Sequence, residues 1–299
     1  MSGPPVSISI ALVTRNRPRS LERCLESWRR QTLAPGEIVV SDDSDAAEAP
    51  LTEAIARRYQ CRYTRGPGRG LYANRNHASL ACHGTHIVSA DDDHTHPADY
   101  VEVIASLIAE DPRRVWIFSE RLPGDNDSKL VCPPELHRSG FGDAPADPSR
   151  CAAIADGATV YPREVFTSGL RYDDTYPFGG LWYLWGKLLA RAGWQITFSD
   201  RTFVWHHFWP DGISADDGRL DNVSQLRRQL LATTYVQLVN ALWLDRSPLQ
   251  LGWAAVYTLR RMLIPESIMH FRVRTRLPPA GVAQAAWRAF GARRRYQRA

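Results

Sequence analysis

Two rhythms of apolar and polar positions alternate along the first 120 residues of this chain. Val6–Val13 is an apolar, β-branched run and predicts a strand. Leu21, Leu25 and Trp28 then recur at helical spacing, and Ser20 is placed to cap a helix running to about Gln31. The cycle repeats with a strand at Glu37–Ser41, a helix at Leu51–Tyr59 and a strand at Cys61–Arg65. The turn Gly66-Pro67-Gly68-Arg69-Gly70 leads into a helix through Leu80, and His86–Ala90 is a fourth strand. Pro97 suits the first turn of the next helix, and Val115–Ser119 is a fifth strand. Strands alternating with helices predict an α/β fold, with a parallel sheet covered on both faces.

The rhythm fails over residues 121–150, which hold five prolines and little periodicity. A loop of that length inside a domain is uncommon and is usually functional. Order is expected again at Ala152–Tyr161, in a helix over Tyr183–Ala192 and in short strands through Thr197 and Val204. Beyond Asn222 the pattern is helical to Leu244, and Arg246-Ser247-Pro248 reads as a linker.

An apolar fraction of 44% and a charged fraction of 23% describe an ordinary globular chain and exclude a disordered one. Five scattered cysteines form no C-x-x-C pair, so reduced thiols and a cytoplasmic setting are expected rather than a disulfide framework. The first residues carry neither a signal-peptide pattern nor, further on, an apolar run of about 18 residues fit to span a bilayer. The net charge of +5 is uneven: from Arg260 onward ten Arg face one acid, Glu266, so the preceding 259 residues are slightly acidic. With Trp253, Tyr257, Phe271, Trp287 and Phe290 among them, those cations predict peripheral contact with an anionic membrane surface, on its cytoplasmic face. No recognition motif supports nucleic acid as the partner.

The chemistry concentrates in Asp91-Asp92-Asp93-His94, directly after the fourth strand. Carboxylates side by side repel, and no Lys or Arg adjoins them in sequence. A hard divalent ion, Mg²⁺ or Mn²⁺, resolves that cost, and such ions commonly share their ligands with substrate phosphates. A solvated acidic turn before the next helix is the plainer alternative. Ligands of parallel sheets bind beyond the carboxyl ends of the strands. Two further ends there are polar: Thr14-Arg15-Asn16 and Asp42-Asp43-Ser44-Asp45. Asp42 and Thr14 can hold a base or ribose, and Arg75 can neutralise a diphosphate.

At these residues the chain resembles the inverting nucleotide-sugar glycosyltransferases of family 2, which have the GT-A fold. The matching stretches are Ser7–Gln31, Glu37–Asp45 (EIVVSDDSD) and Gly70–His94 (GLYANRNHASLACHGTHIVSADDDH), followed by Asp156–Val165 and Arg191–His207. The resemblance implies a Rossmann-like, mostly parallel sheet over residues 1–221, with 1–120 the nucleotide half and 121–221 the acceptor half. Residues 222–299 then form a helical, basic extension. It implies base recognition by Asp42, nucleotide contacts from Thr14 and Asn16, and a diphosphate contact from Arg75. Asp91 and Asp93 take the places of the D-x-D metal ligands, and Asp92 is grouped with the donor-binding residues. His206 or His207 matches a late metal- or diphosphate-contacting histidine, with packing among Trp205, Phe208 and Trp209 as the alternative for either. The donor is a nucleotide-diphosphate sugar, most simply a UDP-sugar, and the acceptor a glycan or a lipid-linked glycan.

One departure is pronounced. Where the family carries Glu-Asp, with the Asp as general base, this chain has Leu181-Trp182 before the helix. Deprotonating the acceptor contributes about 10²–10⁴-fold, so the base must come from elsewhere or be absent. The acidic candidates, in order, are Asp174, Asp156 and Asp217, with Asp216 beside the last. A catalytically silent nucleotide-sugar binder or scaffold is the rival expectation. A nucleotidyltransferase is disfavoured, since Thr14-Arg15-Asn16-Arg17-Pro18 lacks a glycine-rich phosphate loop.

Overall fold

All seven residues of β1 (Ile8–Thr14) are buried, and a strand buried on both faces needs helices on each side of its sheet. A computed structural model describes residues 6–123, 135–143, 147–207, 222–268 and 273–297. Over the first half it follows the expected alternation. After β1 come α1 (Pro18–Arg29), β2 (Glu37–Asp42), α2 (Ala49–Arg58), β3 (Arg62–Arg65), α3 (Leu71–Ala81), β4 (His86–Asp91), β5 (His94–Thr95), α4 (Tyr100–Glu110) and β6 (Val115–Arg121). A short hairpin, β7 (Glu135–Leu136) and β8 (Gly142–Asp143), lies within the expected loop. Then follow β9 (Ala158–Pro162), α5 (Glu164–Thr167), α6 (Leu181–Arg191) and the long β10 (Ile196–His206). Four helices close the chain: α7 (Asn222–Val239), prolonged by a π-helical turn at Asn240–Leu244, α8 (Pro248–Leu263), α9 (Pro279–Gly291) and α10 (Arg293–Gln297).

The main sheet has eight strands in the order β3-β2-β1-β4-β9-β6-β10-β5. β1 runs parallel to β2 and β4, and β6 parallel to β10, while β9 lies antiparallel between β4 and β6. The sheet is thus mostly parallel, as expected, with a reversed strand at its centre. Helix α1 starts at Pro18 rather than at a Ser20 cap. Proline's fixed φ suits the first helical position, and Ser20 is buried inside the helix. Helix α4 begins at Tyr100, so Pro97 stands before its first turn rather than in it, and the Pro97 carbonyl accepts from the Tyr100 amide.

The core is continuous. Ile10, Leu12, Val39, Val88, Ile117 and Val160 of the sheet belong to one apolar cluster with Tyr235, Val236 and Val239 of α7 and Ala289 and Tyr296 of the last two helices. The four described cysteines are buried thiols, with no disulfide among the described residues. No described helix is long and apolar enough to cross a membrane.

Candidate functional site

Strand register assembles the site. Thr14 is paired with Asp42, and Val13 with Asp91, so the ends of β1, β2 and β4 form one row. β5, two residues long, pairs antiparallel with the end of β10 and sets His94 directly opposite His206. The late histidine and the acidic cluster, 112 residues apart, therefore meet through backbone pairing.

Asp93, His94 and His206 each offer a ligand atom, and these atoms lie within 4.8 Å of one another. His206 Nε2 is 3.7 Å from Asp93 Oδ2, and His94 Nε2 is 3.9 Å from Asp93 Oδ1. The outer nitrogen of each ring is anchored. His94 Nδ1 lies 3.2 Å from the Gly157 carbonyl, and His206 Nδ1 lies 2.8 Å from Glu120 Oε2. Anchors of this kind fix the tautomer and direct the opposite nitrogen at a metal. His94 Nε2 is buried without a hydrogen-bond partner among the described residues. A buried nitrogen lone pair facing a carboxylate and a second imidazole fits a divalent transition ion. Burial opposes protonation of His206, yet the Asp93 and Glu120 carboxylates push it up to about 10. The same ring, together with His94 and Arg17, holds Asp93 well below the usual carboxylate range despite its burial.

The fold gives the acidic cluster two features that its local sequence does not show. It does have cationic partners, brought by the fold from distant positions. Arg17 Nη1 bridges Asp92 Oδ1 at 3.0 Å and Asp93 Oδ2 at 2.7 Å. And Asp91 is not in the trio of Asp93, His94 and His206, whose ligand atoms converge. Both Asp91 oxygens accept from Arg75 Nη2 at 2.8 Å. Asp92 takes the Thr14 hydroxyl at 2.7 Å, and burial raises its carboxyl to about 7 against the pull of Arg17.

On the donor side, Asp42 is fully buried and already engaged. Its Oδ2 accepts from Tyr63 and Arg65, each at 2.8 Å, and its Oδ1 from the Ser44 amide at 2.7 Å. Thr14 spends its hydroxyl on Asp92 rather than presenting it. Asn16, at φ 53, clasps the end of β2 through Ser44 and Asp45. Arg75, expected on the diphosphate, is 1% exposed and lies between Asp91 and Asp156, whose Oδ1 is 2.9 Å from Nε. All four side chains are thus hydrogen-bonded or ion-paired within the protein. Neighbouring Asp43 accepts from the amides of Gly68 and Gly70, in the glycine-rich turn. Gly70, at φ +101, is required there: a Cβ would stand 2.4 Å from the Pro177 Cα.

The two described base candidates occupy different surroundings. Asp156 precedes Gly157, shares Arg75 with Asp91, and is raised to about 7 by burial in spite of that guanidinium. Asp174 pairs with Arg69 and Arg295, each at 3.2 Å. Asp216 and Asp217 lie outside the described residues. Leu181 is fully buried and Trp182 stacks on Tyr183, so neither accepts a proton. His207 donates its amide to the Asp93 carbonyl and places its ring on Thr95; it braces the turn from outside the cluster.

Sequence reasoning missed Arg17, Glu120, Gly157 and the ligand role open to His94. Only His94 left a signal, as the next residue of the acidic motif.

The glycosyl transferase family 2 model matches residues 9–168. No curated protein sequence matches the chain. Among solved structures, S. aureus TarS aligns with a TM-score of 0.56 at 14% identity, covering 86% of this chain and 44% of TarS. TarS 1-349 in complex with UDP-GlcNAc aligns with a TM-score of 0.58 at 13% identity, covering 86% and 73%. GalNAc-T7 with UDP, GalNAc and Mn²⁺ gives 0.62 at 19% identity, over 80% of this chain and 48% of that one. The chain thus spans less than half the length of full TarS and of GalNAc-T7. The architecture in common is GT-A.

Proposed function

As the chain belongs to glycosyl transferase family 2, whose model covers more than half of it, we propose that it transfers a sugar from a UDP-sugar to a hydroxyl of a glycan or lipid-linked acceptor, with inversion. The observation that carries this reading is the buried, partnerless Nε2 of His94, aimed between Asp93 and His206 at the carboxyl edge of the sheet. UDP and UDP-GlcNAc in the TarS complexes, and UDP with Mn²⁺ in GalNAc-T7, support the donor class.

Asp93, His94 and His206 are the proposed metal ligands, in place of the Asp91–Asp93 pair. Two imidazoles favour Mn²⁺ over Mg²⁺, which prefers an all-oxygen shell. When bound, the ion would neutralise the charge of the departing diphosphate. The transfer is one displacement: the acceptor oxygen bonds to the anomeric carbon as the bond from that carbon to the diphosphate breaks. The acceptor's proton goes to a carboxylate. Of the two described candidates we assign Asp156, because its backbone is continuous with Gly157, against which His94 is anchored; both carboxylates are arginine-paired, Asp156 with Arg75 and Asp174 with Arg69 and Arg295. Asp42, with Tyr63 and Arg65, is the proposed wall of the base pocket, and Arg75 sets the positions of Asp91 and Asp156.

Thermal shift with a panel of nucleoside diphosphates, with and without Mn²⁺, tests the donor assignment. A ligand at a hundred times its Kd stabilises by about 2.7 kcal/mol, so UDP with Mn²⁺ is expected to raise Tm by several degrees. His94→Ala and His206→Ala are expected to remove the Mn²⁺-dependent part. No stabilisation by any nucleotide with any ion would overturn the reading. Leu181 and Trp182 favour one rival, a donor-binding protein without turnover; Mn²⁺-dependent UDP binding with no transfer to any acceptor would establish it.

A further inference from the structure

Helix α8 is built inside out. Ser247 caps it by accepting from the Gln250 amide at 3.3 Å, and Pro248 opens the first turn. Its only buried side chains are Ala254 and Arg261. Arg261 is fully buried and donates to Gln237 Oε1 and to the Ser139 carbonyl, both at 2.5 Å, with Glu266 Oε2 at 3.4 Å. The helix is therefore moored to the protein through a polar contact. Leu249, Val256, Leu259 and Leu263 face outward at alternating spacings of seven, three and four residues, and all are more than half exposed. A helix in water ordinarily does the reverse, burying its apolar stripe and exposing its charges.

Charge decides what covers the stripe. The Leu277 amide donates to the Arg261 carbonyl, tying the segment with the exposed Arg274 and Arg276 to the end of α8 beside the exposed Arg260. Glu266, the one acid from Arg260 to the end of the chain, is already held by Arg260 and Arg261. A second copy docked with these arginine-bearing ends together would bring arginines to face arginines. An anionic lipid surface presents the opposite charge and an apolar interior just beneath it. Trp253 and Tyr257, half-buried on the flank of the stripe, are ring types suited to a membrane–water boundary.

We propose that α8 is an interfacial membrane-docking helix, lying flat on an anionic bilayer with Leu249, Val256, Leu259 and Leu263 inserted. This specifies a surface for the membrane contact read from the sequence, and it does not depend on catalytic activity. The full chain is mixed with phosphatidylcholine vesicles containing phosphatidylglycerol, or with phosphatidylcholine alone, and sedimented. Wild type is expected to pellet with the anionic vesicles and much less with the neutral ones. Val256→Glu/Leu259→Glu is expected to lower the partition coefficient at least about tenfold, and Val256→Ser/Leu259→Ser by a smaller factor. Leu33→Glu, at an exposed leucine in the loop after α1, is expected to bind as wild type does. Melting curves establish that each variant is folded. Failure of wild type to pellet, or undiminished binding of Val256→Glu/Leu259→Glu, overturns the proposal. So does a lipid-free dimer that dissociates in that variant, which would assign the stripe to a second copy.

Discussion

Replacing Asp173 with alanine should loosen the end of the chain from the rest of the fold. Asp173 is 2% exposed. It accepts from Tyr235 Oη at 2.6 Å, Tyr296 Oη at 2.5 Å and the Thr175 amide at 2.9 Å, and it pairs with Arg295. One carboxylate therefore pins α7, α10 and the approach to α6. A buried donor left without an acceptor costs about 1–3 kcal/mol. Tyr235 keeps Thr175 Oγ1 at 3.2 Å, and Arg295 keeps Asp174 at 3.2 Å, so both are discounted. The Tyr296 hydroxyl and the Thr175 amide bear the main loss, for a total of about 3–4 kcal/mol. At about 2–4 °C per kcal/mol in a chain of this size, Tm should fall by about 6–16 °C. Tyr296→Phe alone should cost about 1 kcal/mol, and in the double variant the two effects should fall short of additivity, since they share one hydrogen bond. Circular dichroism melts supply the numbers, and limited trypsin digestion at Arg293–Arg295 reports release of the last helix. A Tm for Asp173→Ala within about 2 °C of wild type, with those arginines still protected, would refute the reasoning.

Gly157→Ala places a Cβ 2.3 Å from Asp91 Oδ2 and 2.8 Å from His94 Cε1, at φ +78. It should weaken Mn²⁺ binding at least about tenfold by titration calorimetry, because it displaces the anchor of a ligand. Arg75→Met leaves Asp91 and Asp156 without their shared cation and should cost about 3–5 kcal/mol in denaturant unfolding. Asp156→Asn should lower kcat by about 10²–10⁴-fold with UDP affinity retained, while Asp174→Asn should leave kcat within about tenfold; the reverse pattern would move the base to Asp174. Burial lowers the His86 pKa below its ordinary value, so its contribution is complete above about pH 6.5 and is lost as pH falls through the folded-state value. The stability gap between wild type and His86→Gln should therefore narrow from pH 7 to pH 5; a constant gap would refute that assignment.

β1, β2 and β4 were legible because each carries a short apolar run closed by polar residues, and their parallel pairing follows from the helices between them. The row of Thr14, Asp42 and Asp91 was legible for the same reason, since parallel strands of similar length end together. Counterions were not. Arg17 reaches Asp92 across 75 residues and Arg75 reaches Asp91 across 16, and no local pattern records such encounters. The reversed β9 was likewise hidden: a buried strand has the same apolar composition in either direction. His94 was hidden by its neighbours, because the resemblance drew attention to alternate carboxylates rather than to the next side chain. The stripe of α8 misleads in the opposite sense. Its periodicity alone would place Leu259 inside and Arg261 outside, and burial of the guanidinium reverses them.

Arg17 has a consequence for how the protein rests between turnovers. With a guanidinium lodged between Asp92 and Asp93, the acidic triplet is balanced before any ion arrives. If the proposed ion binds there, chelators should lower the melting temperature only by the mass action of the lost ligand, leaving a cooperatively folded chain. On that reading the fold outlasts a shortage of the proposed ion.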